Sequence, residues 1–83
     1  MYLATIVVTL KPLVNDPQGL AIKGGLQSLG FGGVQTVRAG KHIEITLDAA
    51  DQSDAENQVG AMCAKLLANP VIETYRFEVR ETE

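Results

Sequence analysis

Tryptophan is absent from this 83-residue chain, and it has one histidine, His42, and one cysteine, Cys63. A lone cysteine excludes an internal disulfide. It also excludes a zinc site of the usual kind, which draws on several Cys and His side chains. A single thiol suits a reducing compartment, so the cytoplasm is the expected location. Long apolar runs are missing, and those present are far too short to span a bilayer. The opening residues Met1-Tyr2-Leu3-Ala4-Thr5 carry neither a basic region nor a cleavage signal. Basic residues are few: seven Lys and Arg against ten Asp and Glu, a net charge of −3. That balance argues against nucleic acid, which rewards clustered Lys and Arg. No nucleophile–base pair or metal cluster is visible, so no catalytic or cofactor-binding residue is assigned. The chain reads as a shaped surface rather than a reaction centre.

What is present fits one small domain over residues 1–83. Hydrophobic residues make up 46% and charged residues 20%, which is ordinary for a soluble domain. A chain of this size buries only roughly 60% of its unfolded surface, so its core is thin. With no disulfide to staple it, oligomerisation is the expected remedy.

Residues 2–10 predict a strand rich in Ile, Val and Thr, with apolar even positions. Asp16-Pro17 predicts a helix start, Asp as the cap and Pro in the first turn. That helix runs to about Leu29, with Ile22, Leu26 and Leu29 on one face and Gly30 as a left-handed cap. Residues 34–38 predict a short strand, and Ala39-Gly40 a hairpin turn into a strand over 41–48. In the latter, Ile43, Ile45 and Leu47 face inward and His42, Glu44 and Thr46 outward. Ser53 and Glu56 predict a capping box. The helix it opens carries Ala55, Val59, Met62, Cys63, Leu66 and Leu67 on one stripe. Asn69-Pro70 ends it, and a last strand over 73–80 puts Tyr75, Phe77 and Val79 on one side.

The expected class is therefore α+β: a β-α-β-β-α-β sandwich, with two helices on one face of an antiparallel sheet, the ferredoxin-like arrangement. In that order the first strand is central. Leu3 and Val7 then form an apolar strip on the face that no helix covers, and a second subunit is the natural cover. Leu20 points away from the apolar face of its helix and, with Gly24 one turn later, makes a flat apolar spot. Arg38 and Lys41, near His42, form a small basic cluster suited to an acidic partner or a phosphate. Leu3, Val7, Leu20, Arg38 and Lys41 are the candidate interface residues. His42 reads as a solvated strand residue and Cys63 as a buried thiol with no basic neighbour to activate it.

Several runs together resemble the PurS family, the small subunit of phosphoribosylformylglycinamidine synthase. They are Val8-Thr9-Leu10-Lys11, Asp16-Pro17-Gln18-Gly19, Leu29-Gly30 with Val34 and Val37, Arg38-Ala39-Gly40-Lys41, Met62-Cys63, residues 66–72, and Tyr75-Arg76-Phe77-Glu78. Gly24-Gly25 departs from the family, where better helix formers are expected. The resemblance implies a non-catalytic subunit of a ligase complex in purine biosynthesis, forming a homodimer or higher oligomer. It implies two partners. The large subunit PurL would hold formylglycinamide ribonucleotide, ATP and magnesium, and the glutaminase PurQ would release ammonia. No cofactor is expected on this chain itself.

Other uses of the topology fit less well. An acylphosphatase-like enzyme needs a glycine-rich phosphate nest after the first strand, where this chain has Lys11-Pro12-Leu13-Val14-Asn15. A metal chaperone needs Cys-x-x-Cys there. An RNA-reading sheet needs exposed aromatics. The alternative that stands is a regulatory domain binding a small molecule at a dimer interface.

Overall fold

Apolar alternation and β-branched residues place strand β1 (Tyr2–Leu10) at the centre of a three-stranded antiparallel sheet. The computed structural model describes residues 1–82. Helix α1 (Pro17–Ser28) follows β1. Strand β2 (Gly40–Leu47), helix α2 (Gln52–Met62), a π-helical turn (Cys63–Leu67) and strand β3 (Glu73–Glu81) complete the order. The sheet order is β2-β1-β3. Both pairings are antiparallel, with Ile6 opposite Ile43 on one side and Phe77 on the other.

The even residues Tyr2, Ala4, Ile6 and Val8 are buried under α2, whose Ala55, Val59 and Cys63 are fully covered. This is the core. As expected, Ile43, Ile45 and Leu47 share its side of the sheet. The α+β class and the antiparallel sheet match the sequence reading, but the described strands number three rather than four and only α2 lies on the sheet face.

Three local features differ from it. Residues 34–38 form no strand of the sheet, and Ala39-Gly40 makes no hairpin. A two-residue hairpin turn of the favoured types needs left-handed backbone. Gly30 is the only described residue with that conformation, at φ 103°. The chain instead runs on from 34–39 into β2, because its backbone is tied elsewhere at Ala39, as set out below. Second, the cap of α2 lies two residues early. Asp51 accepts from the Asp54 N–H (2.8 Å) and Asp54 accepts from the Ala50 N–H (3.0 Å). The Asp carboxylates thus take the capping role expected of Ser53 and Glu56, with Asp54 reaching back to the residue before the cap rather than to the cap itself. Third, the turn after Met62 widens, so that the Ala68 N–H reaches the Cys63 carbonyl, five residues back. The wider turn rotates Leu66 out of the stripe; it is 84% exposed.

Helix α1 ends as read. Phe31 donates to the Leu26 carbonyl and Gly30 to that of Gln27, the double bond of a left-handed cap. Yet α1 makes almost no contact with the sheet. It packs on the returning segment: the Gln27 side chain donates to the Val34 carbonyl, and Gly19 lies against that of Val37. Helix and return segment together form an arm that projects past the end of β1. The molecule is accordingly long and thin, 51 × 30 × 14 Å.

Candidate functional site

The joint between arm and sheet is built on Asp16, the only buried charged residue among those described. One carboxylate oxygen accepts from the Gly19 N–H (2.9 Å), capping α1. The other accepts from the Ala39 N–H (2.8 Å), at the entrance to β2. The sequence marks Asp16 as a cap, but only the fold reveals the second bond, made across 23 residues. The Gly19 and Ala39 N–H groups, with Arg38 nearby, hold the Asp16 carboxyl below its ordinary range, against the opposing effect of burial.

Arg38 completes the joint. Its guanidinium donates to the carbonyls of Lys11 (2.9 Å) and Val14 (3.0 Å), fixing the linker that precedes α1. The candidate basic cluster is therefore split. Arg38 is engaged within the chain, whereas Lys41 projects outward, its ammonium 3.6 Å from Glu73 and its side chain 62% exposed. Such an exposed pair contributes little to stability and leaves the lysine available. Gly40 sits between them because a Cβ there would lie 2.5 Å from the Val8 carbonyl oxygen.

Leu3 and Val7 lie on the helix-free side of the sheet, half-buried. Their cross-strand neighbours are Thr46 and Arg80, and His42 and Arg76. Thr5 between them is flanked by Glu44 and Glu78. The apolar strip is one strand wide with charges along both sides. Leu20 is 57% exposed on the arm, which also displays Leu29 and Phe31. At the same end of the sheet as the joint, where the Lys11 N–H donates to the Ile72 carbonyl (2.8 Å), Leu66, Val71 and Ile72 are exposed beside a cleft of about 380 Å³ that Cys63 and Tyr75 help to line. The sequence reading singled out none of these last three as surface residues. The π-helical turn, which exposes Leu66, has no sequence signature of its own.

Burial pushes the Cys63 thiol above its ordinary value, which disfavours a nucleophilic thiolate. Among the described residues, no three His, Cys, Asp or Glu side chains stand close enough to hold a metal. Among the described residues, no helix is long and apolar enough to cross a membrane. The geometry offers surfaces: a joint, an arm, and two exposed apolar patches.

Comparison with known proteins gives one answer. The family PurS: Phosphoribosylformylglycinamidine (FGAM) synthase matches residues 3–81. The phosphoribosylformylglycinamidine synthase subunit PurS of Synechocystis is 52% identical, over 99% of this chain and 82% of that protein. The crystal structure of Methanocaldococcus jannaschii PurS superposes with a TM-score of 0.90 at 40% identity, covering all of both chains. A chain in the PurLQS structure from Thermotoga maritima superposes with a TM-score of 0.85 at 28% identity, covering 96% of this chain and 99% of that one.

Proposed function

This chain belongs to the PurS family, subunits of phosphoribosylformylglycinamidine synthase in purine biosynthesis, and from that premise we propose that it acts as the non-catalytic small subunit joining a PurL-type synthase to a PurQ-type glutaminase. The full-length likeness to a chain of a PurLQS structure carries the reading. The catalysed reaction converts formylglycinamide ribonucleotide, glutamine and ATP into formylglycinamidine ribonucleotide, glutamate, ADP and phosphate. ATP and magnesium then belong to the large subunit. The complex works in the cytoplasm, and this chain enters it as a homodimer or higher oligomer. Leu3, Val7, Leu20 and Lys41 serve as contact residues, and Arg38 supports them through the joint.

The test is reconstitution. Purified large subunit and glutaminase are titrated with this chain, and glutamine-dependent product formation is followed. Activity should rise with added chain to saturation, while the chain alone hydrolyses neither ATP nor glutamine. Lys41→Ala should raise the half-saturating concentration, more so at high salt, where exposed charge contacts are screened. If the chain adds nothing to glutamine-dependent activity, the proposal fails.

A further inference from the structure

Two stretches of chain join the arm to the sheet, residues 11–16 on the way out and residues 38–39 on the way back. Among the described residues, three hydrogen bonds tie one stretch to the other, and two side chains make all three. Asp16 accepts from the Ala39 N–H, and one nitrogen of Arg38 donates to the carbonyls of both Lys11 and Val14. Packing adds little. Gly19 is the one buried residue of α1, and the helix has almost no contact with the sheet. A segment with so few buried apolar contacts opens and moves easily unless something else holds it. Here the Asp16 and Arg38 bonds hold it, and burial of Asp16 shields its pair from competing water.

The same bonds reach beyond the arm. Lys11, whose carbonyl accepts from Arg38, donates its own N–H to the Ile72 carbonyl (2.8 Å). Ile72 belongs to a loop that is itself ordered. The Val71 N–H donates to the Asn69 side-chain oxygen (3.0 Å), and the Asn69 N–H to the Glu73 carboxylate (2.7 Å). Two exposed apolar groups, Leu20, Leu29 and Phe31 on the arm and Val71 and Ile72 on the loop, are thus placed relative to each other through Lys11.

We infer that Asp16 and Arg38 are positioning residues: they hold arm and loop in one fixed arrangement, and the affinity of the chain for its synthase partners depends on that arrangement. The inference rests on the assembly role proposed above, and it gives both residues a part in assembly without contact to a partner. Preorganisation sets the size of the effect. If about a tenth of the loosened chains hold the arm correctly, apparent affinity falls about tenfold. Activity at saturation is unchanged, because every bound chain has the arrangement the partner selects.

Asp16→Asn separates this role from helix capping. The asparagine oxygen still caps Gly19, but its amide nitrogen cannot accept from Ala39. Arg38→Met keeps an aliphatic stem and removes the donor. Val59→Ala is the control, since it opens the core under β1 and leaves the joint intact. Amide hydrogen exchange is followed first, on the full chain. In Asp16→Asn and Arg38→Met, exchange at Ala39 and through α1 should accelerate about tenfold more than exchange in β1. In Val59→Ala, β1 should accelerate more than α1. Reconstitution with large subunit and glutaminase follows. Both joint variants should raise the half-saturating concentration about tenfold, with the plateau unchanged and the shift the same at high salt; Val59→Ala should match wild type. Acceleration that is uniform across arm and sheet overturns the positioning role, because the joint is then one cooperative unit with the core. Local loosening with an unchanged half-saturating concentration overturns the dependence of assembly on the arrangement. An Arg38→Met shift that vanishes at high salt overturns it too, since screening marks a direct charge contact with the partner. If wild type itself adds nothing to glutamine-dependent activity, the subunit reading and the dependence on it fail together, while exchange still decides whether Asp16 and Arg38 hold the arm.

Discussion

Glycine means two different things at four positions in this chain. Gly19 and Gly40 are sites of close approach: a Cβ at Gly19 would collide with the Val37 carbonyl, and one at Gly40 with that of Val8. Gly24 and Gly25 have nothing within 4 Å of an added Cβ. Alanine should therefore split them. Gly24→Ala and Gly25→Ala should each stabilise α1 by about 1 kcal/mol, the usual mid-helix difference. Gly19→Ala and Gly40→Ala should destabilise, since in each the neighbour is main chain and cannot rotate away. Urea denaturation of the four variants checks this. Asp16 has its own signature. Its carboxyl titrates lower in the folded chain than in the unfolded one, where it returns to about 3.9. Below that value the unfolded chain binds the proton more readily, so the stability Asp16 contributes is lost as pH falls through its folded value. Asp16→Asn, which lacks the second acceptor oxygen, should be less stable than wild type at pH 7. The gap between the two should narrow at pH 3.

Elements were legible in the sequence wherever their stabilising contacts are local. The Asp16 cap, the Gly30 cap and the alternation of β1, β2 and β3 all rest on residues a few positions apart, and all appear where the pattern placed them. The misreadings come from contacts that spacing does not carry. A Gly turn at Ala39-Gly40 suggests a hairpin, but the Ala39 N–H is held by a carboxylate 23 residues earlier. A uniform helix puts Leu66 in the core, and one widened turn moves it out. That difference can be measured. Leu66→Ala should change stability by no more than about 0.5 kcal/mol, as surface substitutions do. Ile6→Ala, in the fully buried centre of β1, should cost about 2–5 kcal/mol. Thermal or urea unfolding of the pair distinguishes a Leu66 in the core from one on the surface.

At the scale of the whole molecule, the candidate contacts were only partly legible. Lone exposed residues such as Leu20 and Lys41 can be guessed from helical and strand spacing. The arm cannot, because its existence depends on α1 leaving the sheet, and no local pattern records that. The register of β1 with β3 has a further consequence, for the order of events during synthesis. Tyr2 lies opposite Glu81 and Leu10 opposite Glu73, and the Thr82 N–H donates to the Met1 carbonyl. The first strand made thus waits for the last. Until residue 81 has emerged, β1 has at most one neighbour, and a two-stranded ribbon is marginal in water. Its apolar face of Ala4, Ile6 and Val8 stays uncovered at least until α2 has been made. The nascent chain therefore completes its sheet late, with the β1–β3 half of its pairing separated by some seventy residues, the kind of long-range closure that slows folding.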